Sequence, residues 1–96
     1  MYTGVVSFEW DPSKAAANFR KHGVRFAEAL GVFDDDYAIT IEDTESDPGE
    51  QRFVTLGVGM KGRVLAVVYC YAGESLRVIS ARPASRFERN QYEASR

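Results

Sequence analysis

The fold of this 96-residue chain is decided by residues 64–71, VLAVVYCY. The run is apolar on both of its alternating faces, which is typical of a central strand covered on both sides of a sheet. A membrane span needs about 20 apolar residues, so the run is too short to cross a bilayer. We therefore expect a central strand over residues 63–71 and no membrane association.

Hairpin-length breaks flank that strand, GMKG at residues 59–62 and AGE at residues 72–74. They indicate an antiparallel run of strands. An acidic stretch over residues 42–49 reads as a loop, because it contains the turn sequence Asp-Pro-Gly. Four further strands are predicted around these breaks, over residues 5–10, 37–41, 52–58 and 75–81.

Helix signals precede and follow the strands. Asp11 can cap a helix whose first position is Pro12, and Gly23 is suited to end it in the left-handed conformation. Two more helices are predicted over residues 25–32 and 83–94. The order β-α-α-β-β-β-β-α predicts one α+β domain over residues 1–96. In it, two N-terminal helices and a C-terminal helix pack on a small antiparallel sheet.

Composition narrows the class of protein. Hydrophobic residues make up 45% of the chain and charged residues 27%, as in ordinary globular domains, which argues against a disordered chain. Cys70 is the only cysteine, and the N-terminus lacks the pattern of a secretory signal, so we expect a cytoplasmic protein. His22 is the only histidine and has no partner at a metal-ligand spacing. We expect neither a metal nor another cofactor.

Charge is distributed unevenly. The net charge is −2, but residues 34–50 hold eight acidic residues and no lysine or arginine. The rest of the chain has 12 basic and 6 acidic residues, a balance of +6. The pattern favours a molecule with an acidic flank and a basic face that meets a polyanion, although two ordinary solvated surfaces would give the same sequence.

The basic residues supply candidates for chemistry. His22 ends the first helix and can move protons near neutral pH, or it can act only as a helix-capping residue. Arg82, Arg86 and Arg89 form one stripe if Arg82 lies in or beside the last helix. That stripe would bind phosphate, or would be a solvated face balanced by Glu88 and Glu93.

Two further arginines lie in predicted strands. Alternation places Arg77 on one sheet face with Ile79 and Ala81, and Arg52 on a face with Val54 and Leu56. An arginine on an apolar face either presents its guanidinium to a phosphate or pairs internally, for instance with Glu50 or Glu9.

A set of short segments, spread in order over nearly the whole chain, forms a specific pattern. These segments are Phe8-Glu9-Trp10-Asp11-Pro12, Lys14, Asn18, Lys21-His22-Gly23-Val24-Arg25-Phe26, Ala29, Val32-Phe33-Asp34, Glu50-Gln51-Arg52, Gly57, Arg63-Val64-Leu65, Arg77-Val78-Ile79-Ser80-Ala81-Arg82, Ala84, Glu88-Arg89 and Tyr92. In this pattern the sequence resembles the BrnT toxins of bacterial type II toxin–antitoxin modules. It departs from the family at Ala72, where members often have arginine, and at Arg25, where a Ser or Thr cap is common.

The resemblance implies a RelE-like ribonuclease that cuts RNA without a metal and arrests growth. It also implies a partner, a BrnA-type antitoxin with a ribbon-helix-helix DNA-binding domain. Toxin and antitoxin would form a heterotetramer that contacts promoter DNA only through the antitoxin. The alternative is a non-catalytic protein that only holds the antitoxin or acts as a corepressor.

The chemistry that fits these residues is attack of a ribose 2′-OH on the adjacent phosphorus. His22, Glu50 or Lys21 would supply the general base, and the residues leave this choice open. Arg52, Arg77 and Arg82 would stabilise the phosphorane. Contacts to RNA phosphate or to the antitoxin are expected from Arg63, Ser80, Arg86, Arg89 and Tyr92.

Overall fold

The computed structural model describes residues 7–43 and 51–96. Glu50 and most of the predicted acidic loop lie outside the described residues, as does the start of the predicted first strand. No helix in the described part is long and apolar enough to span a membrane. The strands are β1 (Ser7–Glu9), β2 (Ile39–Asp43), β3 (Arg52–Val58), β4 (Val64–Ala72) and β5 (Ser75–Pro83), and the helices are α1 (Pro12–His22), α2 (Phe26–Ala29), a 3₁₀ helix (Leu30–Asp34) and α3 (Arg86–Ala94).

The strands form one sheet in the order β1-β5-β4-β3-β2, with β4 at its centre as predicted. Strands β2 to β5 pair antiparallel. The expectation of a purely antiparallel sheet is wrong at one edge, because β1 pairs with β5 in parallel. Parallel strands are not joined by a hairpin turn, so the sequence contains no local signal for the pairing of β1 with β5. The fold class, α+β, is confirmed.

Helix α1 has the termini that its sequence predicts. The backbone N–H of Ser13 donates to Asp11 Oδ1 at 2.8 Å, and Pro12 occupies the first turn. At the other end Gly23 adopts φ 71° and donates its N–H to the carbonyl of Phe19. These caps fix where the helix stops, and so place His22 at its last position.

The predicted helix over residues 25–32 is instead a short α2 followed by the 3₁₀ helix. The carbonyl of Glu28 accepts a hydrogen bond from the N–H of Met60, at 3.0 Å. Gly31 approaches the same turn so closely that a Cβ there would lie 2.7 Å from the Met60 nitrogen. The helix therefore tightens where the turn between β3 and β4 packs against it.

The main core lies between the sheet and the first three helices. It includes Phe26 and Val32 from the helical segments and Leu65, Val67 and Tyr69 from β4. A smaller cluster on the opposite face is covered by α3, whose Tyr92 packs with Leu56 and Ala66. Helix α3 begins at Arg86 rather than at residue 83, because β5 continues to Pro83.

A β-bulge in β5 changes which side chains share a face. Tyr69 is opposite Val78, but Val68 is opposite Ser80, so Ile79 is an extra residue. Arg77 pairs in register with Cys70 and is exposed, whereas Ala81 is fully buried on the other face. The predicted grouping of Arg77 with Ala81 is thus wrong, because the extra residue breaks the two-residue alternation.

Candidate active site

A groove runs between α1 and the edge of β5. Lys14, Lys21 and His22 line it from α1, and Ile79 and Ser80 line it from the bulge of β5. Its volume is about 250 Å³. We call it the α1–β5 groove. Two lysines and the only histidine of the sequence therefore line one groove with a serine of the bulged strand.

Asn18 holds α1 against this strand edge. Beyond Arg77, β5 has no pairing with β1, so its backbone needs other partners. The Asn18 side chain supplies them, donating Nδ2 to the Ala81 carbonyl at 2.8 Å and accepting from the Ala81 N–H at 3.1 Å. Nδ2 also donates to the carbonyl of Val24 at 2.9 Å. This buried amide fixes the distance between the helix and the groove's far wall.

Arg77 extends the basic surface along α1. It lines a neighbouring groove of about 530 Å³ that also contains Glu9 and Lys14. Because Lys14 lines both grooves, the two are contiguous. Arg77 is not free in this structure, since its Nη2 lies 3.0 Å from Glu9 Oε1. Both side chains are about half exposed, so solvent screens this ion pair.

Arg82 does not join a helical stripe, which corrects the predicted arrangement. It lies in β5, where its guanidinium forms a two-point contact with Glu88, at 2.7 and 3.0 Å. Glu88 also accepts from the backbone N–H of Ser85, which in turn caps α3 through its hydroxyl. The hydrogen bond from Arg82 lowers the pKa of Glu88 to about 2. Arg82 therefore ties the start of α3 to the sheet.

Arg63 and Tyr92 are likewise held by the fold. Arg63 contacts both carboxylate oxygens of buried Glu28 and donates to the carbonyl of Gly23. Its hydrogen bond is the main reason that the pKa of Glu28 is lowered. Tyr92 is only 2% exposed and donates its hydroxyl to Asp35 at 2.5 Å. Arg63 is partly exposed but already paired with Glu28, whereas the core position of Tyr92 does not agree with its predicted place on a binding surface.

The remaining predicted residues are dispersed. Phe53 is opposite Tyr69, so the preceding residue, Arg52, lies opposite Cys70. Cys70 is in turn opposite Arg77, and Arg52 and Arg77 therefore lie in one row across the sheet. Arg86 and Arg89 are exposed on α3. The structure brings together His22, Lys21 and Ser80, with Arg77 alongside. It does not bring Arg82 or Arg63 into that groove.

Lys14 belongs to the site, although the pattern of the sequence did not single it out for chemistry. Lys14, Asn18, Lys21 and His22 follow the spacing i, i+4, i+7 and i+8, which places them on one side of a helix. That spacing was readable from the sequence once the helix was assigned. Within residues 7–43 and 51–96, no three His, Cys, Asp or Glu side chains cluster as metal ligands would.

A family model described as "Ribonuclease toxin, BrnT, of type II toxin-antitoxin system" matches residues 10–88. The chain belongs to the BrnT toxin family. This match confirms the resemblance that the sequence suggested. The family is one of ribonuclease toxins in type II toxin–antitoxin systems, and membership in it implies an antitoxin partner. The match includes α1, the bulged β5 and the start of α3, and so covers every residue that lines the α1–β5 groove.

The BrnT fold is also recognisable by structure. The chain is similar to the 1.1 Å crystal structure of the Brucella abortus ribonuclease toxin, BrnT, with a TM-score of 0.65 and 29% sequence identity. The match covers 83% of this chain and 97% of the Brucella chain. No curated protein sequence matches the chain.

Proposed function

We propose that this BrnT-family chain is an endoribonuclease that cleaves RNA in the α1–β5 groove by attack of a 2′-OH on the adjacent phosphorus, without a metal. The observation that carries the proposal is the convergence of His22, Lys21 and Lys14 on one open groove beside Arg77. The reaction needs a proton acceptor, a proton donor and positive charge around the phosphorane. These four side chains supply all three requirements.

The roles follow from the side-chain chemistry. The His22 imidazole accepts the 2′-OH proton as the general base, the role that histidine most often has in such reactions. Lys21, its neighbour in the groove, is cationic and donates to the leaving 5′-oxygen. Lys14 and Arg77 neutralise the phosphate from the adjoining groove, and the Ser80 hydroxyl binds a phosphate oxygen. Glu50 stays an alternative base whose position lies outside the described residues.

The outer arginines have supporting roles in this proposal. Arg52 lies in the row of Arg77 and extends the charged sheet face toward a longer RNA. Arg86 and Arg89 add positive charge on α3. Arg82 and Arg63 act indirectly, by fixing α3 and the turn between β3 and β4.

The antitoxin proposed for this toxin is a BrnA-type protein with a ribbon-helix-helix domain. Two toxins and two antitoxins would form a heterotetramer, joined through the antitoxin, and only the antitoxin would contact promoter DNA. The likeness in sequence supports this assignment. Its direct check is the mass of the co-purified complex by sedimentation equilibrium.

A second candidate function is non-catalytic antitoxin binding. The ion pairs of Arg77 with Glu9 and of Arg82 with Glu88 favour it, because both guanidiniums already have carboxylate partners. Cleavage of labelled RNA by the purified toxin in the presence of a chelator separates the two functions. We expect 2′,3′-cyclic phosphate ends, and no cleavage of a substrate with 2′-deoxyribose at the scissile position.

Variants locate the chemistry in the same assay. His22→Gln removes the proposed general base and should lower the cleavage rate about 10²–10⁴-fold. Arg77→Ala removes one charged donor to the phosphorane and should lower the rate about 10²–10³-fold. Lys61→Met, in the exposed turn between β3 and β4, is the matched control and should cleave like the wild type. A His22→Gln protein with an unchanged rate and pH profile would move the proton transfer away from this groove.

A further inference from the structure

A second groove lies on the other side of α1. Its floor is apolar, formed by Trp10, Phe19 and three alanines, and its rim carries Arg20 and Arg25. Its volume is about 440 Å³. We call it the Trp10–Phe19 groove. No acidic side chain lines it, in contrast to the groove that contains Arg77 and Glu9.

The two sides of α1 are separated by the geometry of the helix. An α-helix turns by about 100° per residue, so Phe19 and Arg20 point away from Lys14 and Lys21. A ligand bound in the Trp10–Phe19 groove would therefore leave the α1–β5 groove open. The groove shares Trp10 with the groove that contains Arg77, but Phe19, Arg20 and Arg25 line neither groove of the proposed ribonuclease chemistry.

The groove combines exposed apolar area with two arginines that have no carboxylate partner among the described residues. Phe19 is 39% exposed, and the guanidinium of Arg25 stacks over its ring at 4.1 Å. Arg20 is exposed. Among the residues that the structure describes, neither arginine forms an ion pair with a carboxylate. Such a surface is complementary to an aliphatic or aromatic side chain flanked by carboxylates.

We propose that the Trp10–Phe19 groove anchors an acidic amphipathic segment of the antitoxin. The segment would place an apolar side chain on the floor and carboxylates beside Arg20 and Arg25. RNA fits this surface less well, because its phosphates would cross an apolar floor between only two cations. The inference rests on membership in a toxin–antitoxin family and not on the proposed cleavage mechanism.

The protein carries its own reporter for this test, since Trp10 is its only tryptophan. Short overlapping peptides that tile the antitoxin and contain no tryptophan are titrated against the folded toxin. We expect an acidic, amphipathic peptide to shift Trp10 emission to shorter wavelength and to protect it from iodide quenching. Basic or purely polar peptides should leave the emission unchanged.

Variants test the same site with the whole antitoxin. Arg20→Glu, Arg25→Glu and Phe19→Ser should each weaken antitoxin binding at least tenfold, while RNA cleavage stays at the wild-type rate. Lys61→Glu is the matched charge reversal and should bind the antitoxin like the wild type. Thermal unfolding confirms that each variant is folded, and the two arginine variants change only exposed side chains.

Four outcomes would overturn the proposal. Wild-type antitoxin affinity in the folded Arg20→Glu and Arg25→Glu variants would remove the groove from the interface. Loss of RNA binding with antitoxin binding intact would assign the groove to RNA. Dissociation of a toxin dimer by Phe19→Ser would identify a second copy as the occupant. Release of the antitoxin only by reversal of Arg86 and Arg89 would place its anchor on α3. RNA cleavage, measured on the same samples, tests the proposed function separately.

Discussion

Three arginines in or beside the sheet differ in how strongly a carboxylate binds them. Arg63 contacts a Glu28 side chain that is 3% exposed, and Arg82 contacts a Glu88 side chain that is 20% exposed. Arg77 pairs with Glu9 at the surface, where both side chains are about half exposed and ion pairs stabilise by only about 0.2–1 kcal/mol. A phosphate can therefore displace Glu9 from Arg77 far more readily than it can displace Glu28 or Glu88 from their partners. Arg77 is the arginine best suited to exchange partners during binding.

This exchange predicts the effect of removing the carboxylate. Glu9→Gln should strengthen binding of a non-cleavable 2′-deoxy RNA analogue by up to about fivefold, the affinity equivalent of losing about 1 kcal/mol of competition. Fluorescence anisotropy measures the change. Glu74→Gln, in the exposed turn between β4 and β5, removes the same charge elsewhere and controls for net charge. If both variants gain equally, Glu9 does not compete for Arg77.

At the scale of the elements, the position of α1 on β5 depends on one amide. Asn18 is 7% exposed and replaces a neighbouring strand as hydrogen-bond partner of Ala81. An alanine at this position would leave the Ala81 N–H and two carbonyls without these bonds. Buried polar groups that lose their partners cost about 1–3 kcal/mol.

Asn18→Ala should accordingly lower the free energy of unfolding by about 2–3 kcal/mol in urea denaturation. RNA cleavage should fall as well, because α1 carries Lys21 and His22 into the groove. Asn90→Ala, at an exposed position of α3, should stay within about 0.5 kcal/mol of the wild type. Equal stability of the two variants would show that packing alone positions α1.

The elements also show what the sequence alone could and could not predict. Local chemistry predicted the helix caps at Asp11 and Gly23. The pattern of apolar residues predicted the bounds of β3 and the central position of β4. The parallel pairing of β1 and the extra residue at Ile79 did not, because neither is encoded within a short window of sequence. The unpredicted extra residue at Ile79 also affected the predicted site. The bulge determines which of the residues after Arg77 face the groove.

At the scale of the whole molecule, charge is sorted across the sheet. The basic α1–β5 groove lies beside the β1–β5 edge of the sheet. Strand β2 forms the opposite edge. In the sequence, β2 is followed by most of the acidic stretch over residues 42–49. Asp34 and Asp36, at and just beyond the end of the 3₁₀ helix, are exposed before the chain enters β2. If the proposed function holds, this distribution of charge favours the approach of RNA to the edge that carries the α1–β5 groove.

Three carboxylates join different elements of the fold. Glu28 links α2 to Arg63 beside β4, and Glu88 links α3 to Arg82 in β5. Asp35 accepts from the Tyr92 hydroxyl and from the N–H of Val58. Burial by itself would raise the pKa of Asp35, but the hydrogen bonds it accepts outweigh burial and lower it. All three groups are therefore ionised in the folded protein at a lower pH than in the unfolded chain.

This shared direction predicts acid instability. A carboxyl whose folded pKa is depressed contributes its full stabilisation above its unfolded pKa, near 4.5 for glutamate, and loses it as the pH falls toward the folded value. For Glu88 the folded pKa is about 2. A shift of that size corresponds to about 3 kcal/mol, which screening by solvent at the partly exposed Arg82 reduces to about 1–2 kcal/mol.

The free energy of unfolding should therefore be flat above about pH 5 and should fall steadily between pH 4.5 and pH 2. Urea denaturation at a series of pH values measures this slope.

Glu88→Gln should be less stable than the wild type at neutral pH and should lose less stability on acidification, because residue 88 then no longer titrates. Glu93→Gln changes an exposed carboxylate of the same helix and should keep the wild-type slope. Parallel curves for the wild type and Glu88→Gln would show that the Arg82–Glu88 pair does not couple α3 to the sheet, and the acid sensitivity would then rest on Glu28 and Asp35.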